Sequence, residues 1–149
     1  MIPAFVKKGP AKGKLPPGVH ESTWADFCAR YAVTPRRRDI LTGLEQAVSD
    51  LKAAGCQRIY VDGSFVTDKP LPGDFDLCWE PSGVNMKKLN PVLTMQLPNW
   101  RSLQKQLYKG ELFLATMQET SSGISFVEYF QRDTRLTRNL IKGIIAINL

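Results

Sequence analysis

Residues 34–61 constrain the fold more than any other part of the chain. Thr34 is a good helix N-cap, and Pro35 follows at the first helical position, where a missing N–H costs nothing. From there Ile40, Leu41, Leu44, Val48 and Leu51 repeat as one apolar stripe, and Gly55 supplies a stop. Directly behind it, Arg58, Ile59, Tyr60 and Val61 form a compact β-favouring run. A long helix feeding straight into a strand predicts a sheet with helices packed on it.

The rest of the chain continues the alternation. Trp24, Phe27, Cys28 and Tyr31 have the spacing of a short buried helix, started by Ser22 or Thr23. Residues 74–79 alternate as a second strand, and residues 86–95 read as helical despite Pro91. Residues 98–108 predict another helix ended by Gly110, and residues 112–115 a third strand with Glu111 at its head. Residues 125–131 suit helix or strand, and residues 144–147 close the chain as a strand. The expected class is therefore α/β, in one domain over residues 20–149, since 149 residues are too few for two ordinary domains.

Charge divides the chain unevenly. Of 20 basic and 14 acidic residues, the first 38 positions hold eight bases and two acids, so the whole net charge of +6 sits there. Residues 1–19, with four Lys, four Pro and three Gly, predict a flexible basic arm. Such an arm suits an anionic partner or serves only as a solvated tail. Arg36, Arg37 and Arg38 stand in the first turn of a helix, where the macrodipole disfavours cations; a phosphate or acidic neighbour, or plain solvation, would explain them. Arg132, Arg135, Arg138 and Lys142 are spaced to share a helical face, a second place to hold a triphosphate or an acceptor. Three cysteines without CxxC spacing argue against a disulfide framework or a zinc site. No apolar run approaches the ~18–20 residues of a membrane span, and lysines interrupt any secretory leader, so a cytoplasmic protein away from membranes is expected.

The chemistry concentrates in residues 62–77. A strand runs into Gly63-Ser64, a nine-residue loop follows, and the next strand opens with Asp74-Phe75-Asp76. Residues two apart in a strand share a face, so Asp74 and Asp76 present paired carboxylates whose repulsion a cation relieves. Hard oxygen donors beside a Gly-Ser turn suit Mg²⁺ and a phosphate.

This order of elements resembles the nucleotidyltransferase superfamily typified by DNA polymerase β. More closely, the chain is similar to a small bacterial and phage family of nucleotidyltransferase-like proteins, a likeness that brings little about function. It rests on residues 15–20 (Leu-Pro-Pro-Gly-Val-His), the Pro-Arg-Arg-Arg helix start at 35–38, Asp-Gly-Ser-Phe-Val-Thr at 62–67 and Lys-Gly-Ile at 142–144. The resemblance implies a mixed β-sheet with flanking helices, two Mg²⁺ ions, and transfer of a nucleoside monophosphate from a nucleoside triphosphate. Gly63 and Ser64, helped by Lys69 and Lys142, would take the nucleotide phosphates. Asp74 and Asp76 would hold the metals, with Glu111 as third carboxylate and Glu119 or Glu128 as alternatives. The acceptor would be a hydroxyl of RNA or of a cognate protein, as in toxin–antitoxin pairs or phage defence. The alternative is a non-catalytic module of the same fold that binds nucleic acid or a partner protein.

Overall fold

The computed structural model describes residues 1–133 and 140–149. Local signals explain its first helices. In α1 (Trp24–Tyr31) the Thr23 hydroxyl accepts from the Asp26 N–H at 3.1 Å, and Phe27 and Tyr31 are buried. In α2 (Pro35–Ala53) the Thr34 hydroxyl accepts from the Arg37 N–H at 3.2 Å, and Ile40, Leu41, Leu44, Ala47 and Leu51 form the buried stripe. A third helix, α3 (Trp100–Tyr108), buries Gln104 and Tyr108, and the five-residue α4 (Phe126–Phe130) is capped by Ser125. Residues 125–131 thus resolve as helix.

Five strands form one mixed sheet: β1 (Gly18–Ser22), β2 (Arg58–Asp62), β3 (Phe75–Trp79), β4 (Gly110–Leu114) and β7 (Gly143–Asn148). Their spatial order is β1-β7-β2-β3-β4. The outer pairs, β1 with β7 and β3 with β4, are parallel; the inner ones are antiparallel. Two short strands, β5 (Arg132–Asp133) and β6 (Leu140–Ile141), pair separately. Strand alternation then gives the sheet two different faces. Ile59, Val61, Leu77, Trp79, Leu112, Ile145 and Ile147 pack with residues of α1, α2 and α3 in one apolar core. Tyr60, Cys78, Phe113, Ile144 and Ala146 face the other way, under Phe126 and Phe130 of α4.

Four expectations are corrected. Residues 86–95 are turns ending in a single 3₁₀ turn, Pro91–Thr94, because Pro91 lacks a donor and the Asn90 side chain caps the short turn instead. Residues 1–19 are not a loose arm: Ile2 and Leu15 are buried, and Gly18 already belongs to β1. Arg132 and Lys142 share no helix, since Arg132 lies in β5 and Lys142 between β6 and β7; Arg135 and Arg138 lie outside the described residues. Arg37 holds backbone rather than an acidic partner, and Arg36 holds backbone besides an exposed ion pair with Asp39 at 3.5 Å. Arg37, 4% exposed, donates to the carbonyls of Phe65, Thr67 and Lys69 at 2.5, 2.6 and 2.8 Å. Arg36 reaches those of Pro72 and Gly73 at 3.0 and 2.8 Å. Cations in a first helical turn are tolerated here because the β2–β3 loop presents its carbonyls to them.

Candidate functional site

The end of the open sheet face carries a row of acids. Asp62 of β2 is in register with Asp76 of β3, and Asp76 with Glu111 of β4. Residues opposite each other on neighbouring strands project to the same side. Three strands therefore set three carboxylates side by side, while the next row, Tyr60, Cys78 and Phe113, is apolar and buried. Asp74, just ahead of β3, adds a fourth charge. The largely buried Asp76 carboxyl is pushed up to about 7, first by burial and then by the charges of Asp62, Asp74 and Glu111, with Lys142 opposing.

Cations answer part of this charge. The Lys142 ammonium donates to the Asp62 carboxylate, and both side chains are nearly buried. From α3, Lys105 reaches Glu111 at 3.0 Å and Arg101 at 3.6 Å. Glu119, at the far side, is tied to the hydroxyl of Ser121 and the N–H groups of Ser121 and Ser122, which hold its carboxyl down at about 2. Glu128 is exposed on α4. Of the three acids weighed for a third carboxylate, Glu111 is the one in register with Asp76.

The turn after β2 is shaped around the same acid. Gly63 has φ +87°, a conformation that strains any other residue, and a Cβ there would press on Asp76, 3.0 Å from its N–H nitrogen and 3.2 Å from its carboxylate. Ser64 opens a 3₁₀ turn, and its hydroxyl bridges the loop ends, donating to the Asp74 carbonyl at 3.4 Å and accepting from the Gly73 N–H at 3.3 Å. With the carbonyls of Phe65, Thr67, Lys69, Pro72 and Gly73 gripped by Arg36 and Arg37, this loop is anchored at both ends.

Two clefts meet at Asp76. The larger, about 360 Å³, is lined by Asp62, Ser64, Lys69, Asp76 and Lys142 and, from the amino-terminal segment, by Lys12, Gly13 and Lys14. The smaller, about 200 Å³, is lined by Asp76, Glu111, Glu119 and Arg101 over a floor of Phe113, Phe126 and Phe130. Sequence reasoning missed Asp62, because it ended the β2 strand at Val61; continuing the alternation by one residue puts Asp62 on the Tyr60 side. It also missed Lys12 and Lys14, whose position depends on distant contacts.

The donor chemistry suits a hard divalent cation: clustered carboxylate oxygens, one of them raised by burial and then by its like-charged neighbours. Their present arrangement is less complete. Glu111 is drawn toward Lys105 and Asp62 toward Lys142, and among the described residues no group of three His, Cys, Asp or Glu side chains stands arranged to hold a metal ion.

A model of a family of unknown function, DUF6932, matches residues 8–148 of the chain. No curated protein and no solved structure matches it.

Proposed function

The chain belongs to DUF6932, and from its own residues we propose that it is a Mg²⁺-dependent nucleotidyltransferase. It would move a nucleoside monophosphate from a nucleoside triphosphate to a protein or RNA hydroxyl. The observation that carries the reading is the in-register acid row Asp62–Asp76–Glu111 beside the Gly63-Ser64 turn. An acid next to Asp76 is what separates a catalytic site from a mere fold, and Glu111 is in register there. A five-stranded mixed sheet with its three longer helices on one face and the short α4 on the other also supports a nucleotidyltransferase-like arrangement.

Bound magnesium, two ions in this reading, would acidify the attacking hydroxyl and neutralise the leaving pyrophosphate. Asp74 and Asp76 would hold it, with Glu111 joining them when it leaves Lys105. The Ser64 hydroxyl and N–H, with Lys69, would take phosphate oxygens. Lys142 would turn from Asp62 to the incoming anion, and Glu111 would accept the acceptor's proton. The rigid β2–β3 loop keeps these groups from having to be ordered at the moment of binding.

A second reading, the non-catalytic module, draws on one observation. Lys142 and Lys105 already pair with two acids of the row, which is how a fold that binds no metal would neutralise it. Incubation with α-labelled nucleoside triphosphates, Mg²⁺ or Mn²⁺ and cell extract separates the two. The enzyme reading expects labelled acceptor and released pyrophosphate, with Glu111→Gln lowering transfer ~10²–10⁴-fold. Absence of transfer with all four triphosphates, or full activity in Asp76→Asn, would favour the binding module.

A further inference from the structure

The amino-terminal segment is held down at four places. Arg30 of α1 lies 4.4 Å over the Phe5 ring and donates to the carbonyls of Ile2 and Pro3 at 3.4 and 3.1 Å. Residues 6–14 fold back on themselves: the Val6 N–H donates to the Lys14 carbonyl and the Gly13 N–H to the Val6 carbonyl, both at 2.9 Å. The tip docks on the β2–β3 loop, where the Asp68 N–H donates to the Gly13 carbonyl at 2.9 Å. Beyond it Leu15 is 1% exposed, and its carbonyl accepts from the Gly143 N–H at 3.1 Å. Gly13 itself is constrained, with φ +81° and the Asp68 carboxylate 2.2 Å from where a Cβ would be.

Docked this way, the segment delivers two of its four lysines to the larger cleft. Lys12 and Lys14 line it together with Lys69, Arg132, Asp62 and Asp76, whereas Lys7 and Lys8 are exposed outside it. Ammonium groups on flexible stems are suited to point-charge contacts with phosphate oxygens. A cleft of about 360 Å³ accommodates a small polyanion and not a duplex. Ser64 and Asp76 line the same cleft, so an anion held by the lysines shares that space with the acid row.

We infer that the amino-terminal segment is a fixed wall of the site, and that Lys12 and Lys14 bind the polyphosphate of a nucleoside triphosphate. The inference rests on the nucleotidyltransferase reading for the identity of the anion. It replaces a nucleic-acid grip by a loose tail with a built donor subsite, and it splits the charge of residues 1–14 into two lysines that serve the site and two that do not.

Calorimetric titration of the full chain with inorganic tripolyphosphate tests it. Lys12→Ala with Lys14→Ala should weaken binding about 10–100-fold, the loss of one to two charge-assisted contacts. Lys7→Ala with Lys8→Ala removes the same charge and should change it by less than about threefold. Lys12→Arg with Lys14→Arg keeps the charge and should bind like the wild type, which separates a lost contact from a displaced segment. Equal losses in both alanine pairs, or no loss in the first, would overturn the inference. So would a single-stranded oligonucleotide that binds more tightly than tripolyphosphate and depends on all four lysines alike. Should tripolyphosphate follow the expected pattern while no nucleotidyl transfer is found, the subsite stands and the catalytic reading falls.

Discussion

The two faces of one sheet are built from the same alternating strands and do opposite things. Against the three longer helices, β2, β3 and β4 present Val61, Leu77 and Leu112, all fully buried, with no charge among them. One residue along each strand, the other face presents Asp62, Asp76 and Glu111. The stability of the domain and its candidate chemistry therefore lie back to back. The apolar face tolerates no empty space, while the acid face stores repulsion that Lys142, Lys105 and Arg101 relieve only in part. A substitution that shortens a buried side chain should destabilise; one that removes a carboxylate should do the reverse.

The largest effect is expected on the apolar face. Leu77→Ala, at a fully buried position, should cost about 2–5 kcal/mol in a urea titration. A loss below about 1 kcal/mol would mean that this face is not the packed one. Next comes the clamp on the β2–β3 loop. Arg37→Leu orphans three carbonyls and should cost about 2–4 kcal/mol. Hydrogen exchange should speed up over residues 65–69 well before it does in β2; uniform exchange would assign Arg37 to the core instead of the loop.

The acid face should respond with the opposite sign. Asp76 is held at about 7, above its ordinary 3.8, so between those values the folded protein keeps a proton that the unfolded chain has released. Its contribution is therefore intact below about pH 4 and is lost as pH rises toward 7. Asp76→Asn should remove that slope and stabilise the protein by about 1–3 kcal/mol at pH 8, with little change at pH 4. A variant less stable than wild type at pH 8 would show that Lys142 and its neighbours already neutralise the row. The smallest effect is expected at the edge: Gly13→Ala, strained and crowded by Asp68, should cost about 1 kcal/mol and free Lys12 and Lys14 from the cleft, read as faster proteolysis within residues 1–14.

What was legible in the sequence follows the same division between local and distant causes. The starts of α1 and α2, the stripe of α2 and the alternation of β3 are written within a few residues of one another; Asp74, expected in that strand, lies just ahead of it. Glu111 could be singled out because it heads a short apolar strand. β1 could not, since Pro16-Pro17 ahead of it and Gly18 at its start read as a tail and its partner, β7, lies more than a hundred residues on. The charge anomaly of Arg36 and Arg37 was visible, yet its explanation, the carbonyls of a loop some thirty residues later, was not. Lys12 and Lys14 show the limit most plainly. Composition groups them with Lys7 and Lys8, and only the grip of Arg30 and the docking of Gly13 set them apart.

Catalysis at this sheet requires that the acid row take a cation together with a nucleotide. Thermal unfolding of the wild type should be compared with Asp74→Asn/Asp76→Asn, each with and without Mn²⁺ and a mixture of the four nucleoside triphosphates. The wild type should gain stability by mass action, about 2.7 kcal/mol at a hundredfold excess over Kd. The double variant should begin more stable and gain nothing. An equal gain in both proteins would contradict the central claim, because the stabilising contacts would then lie elsewhere.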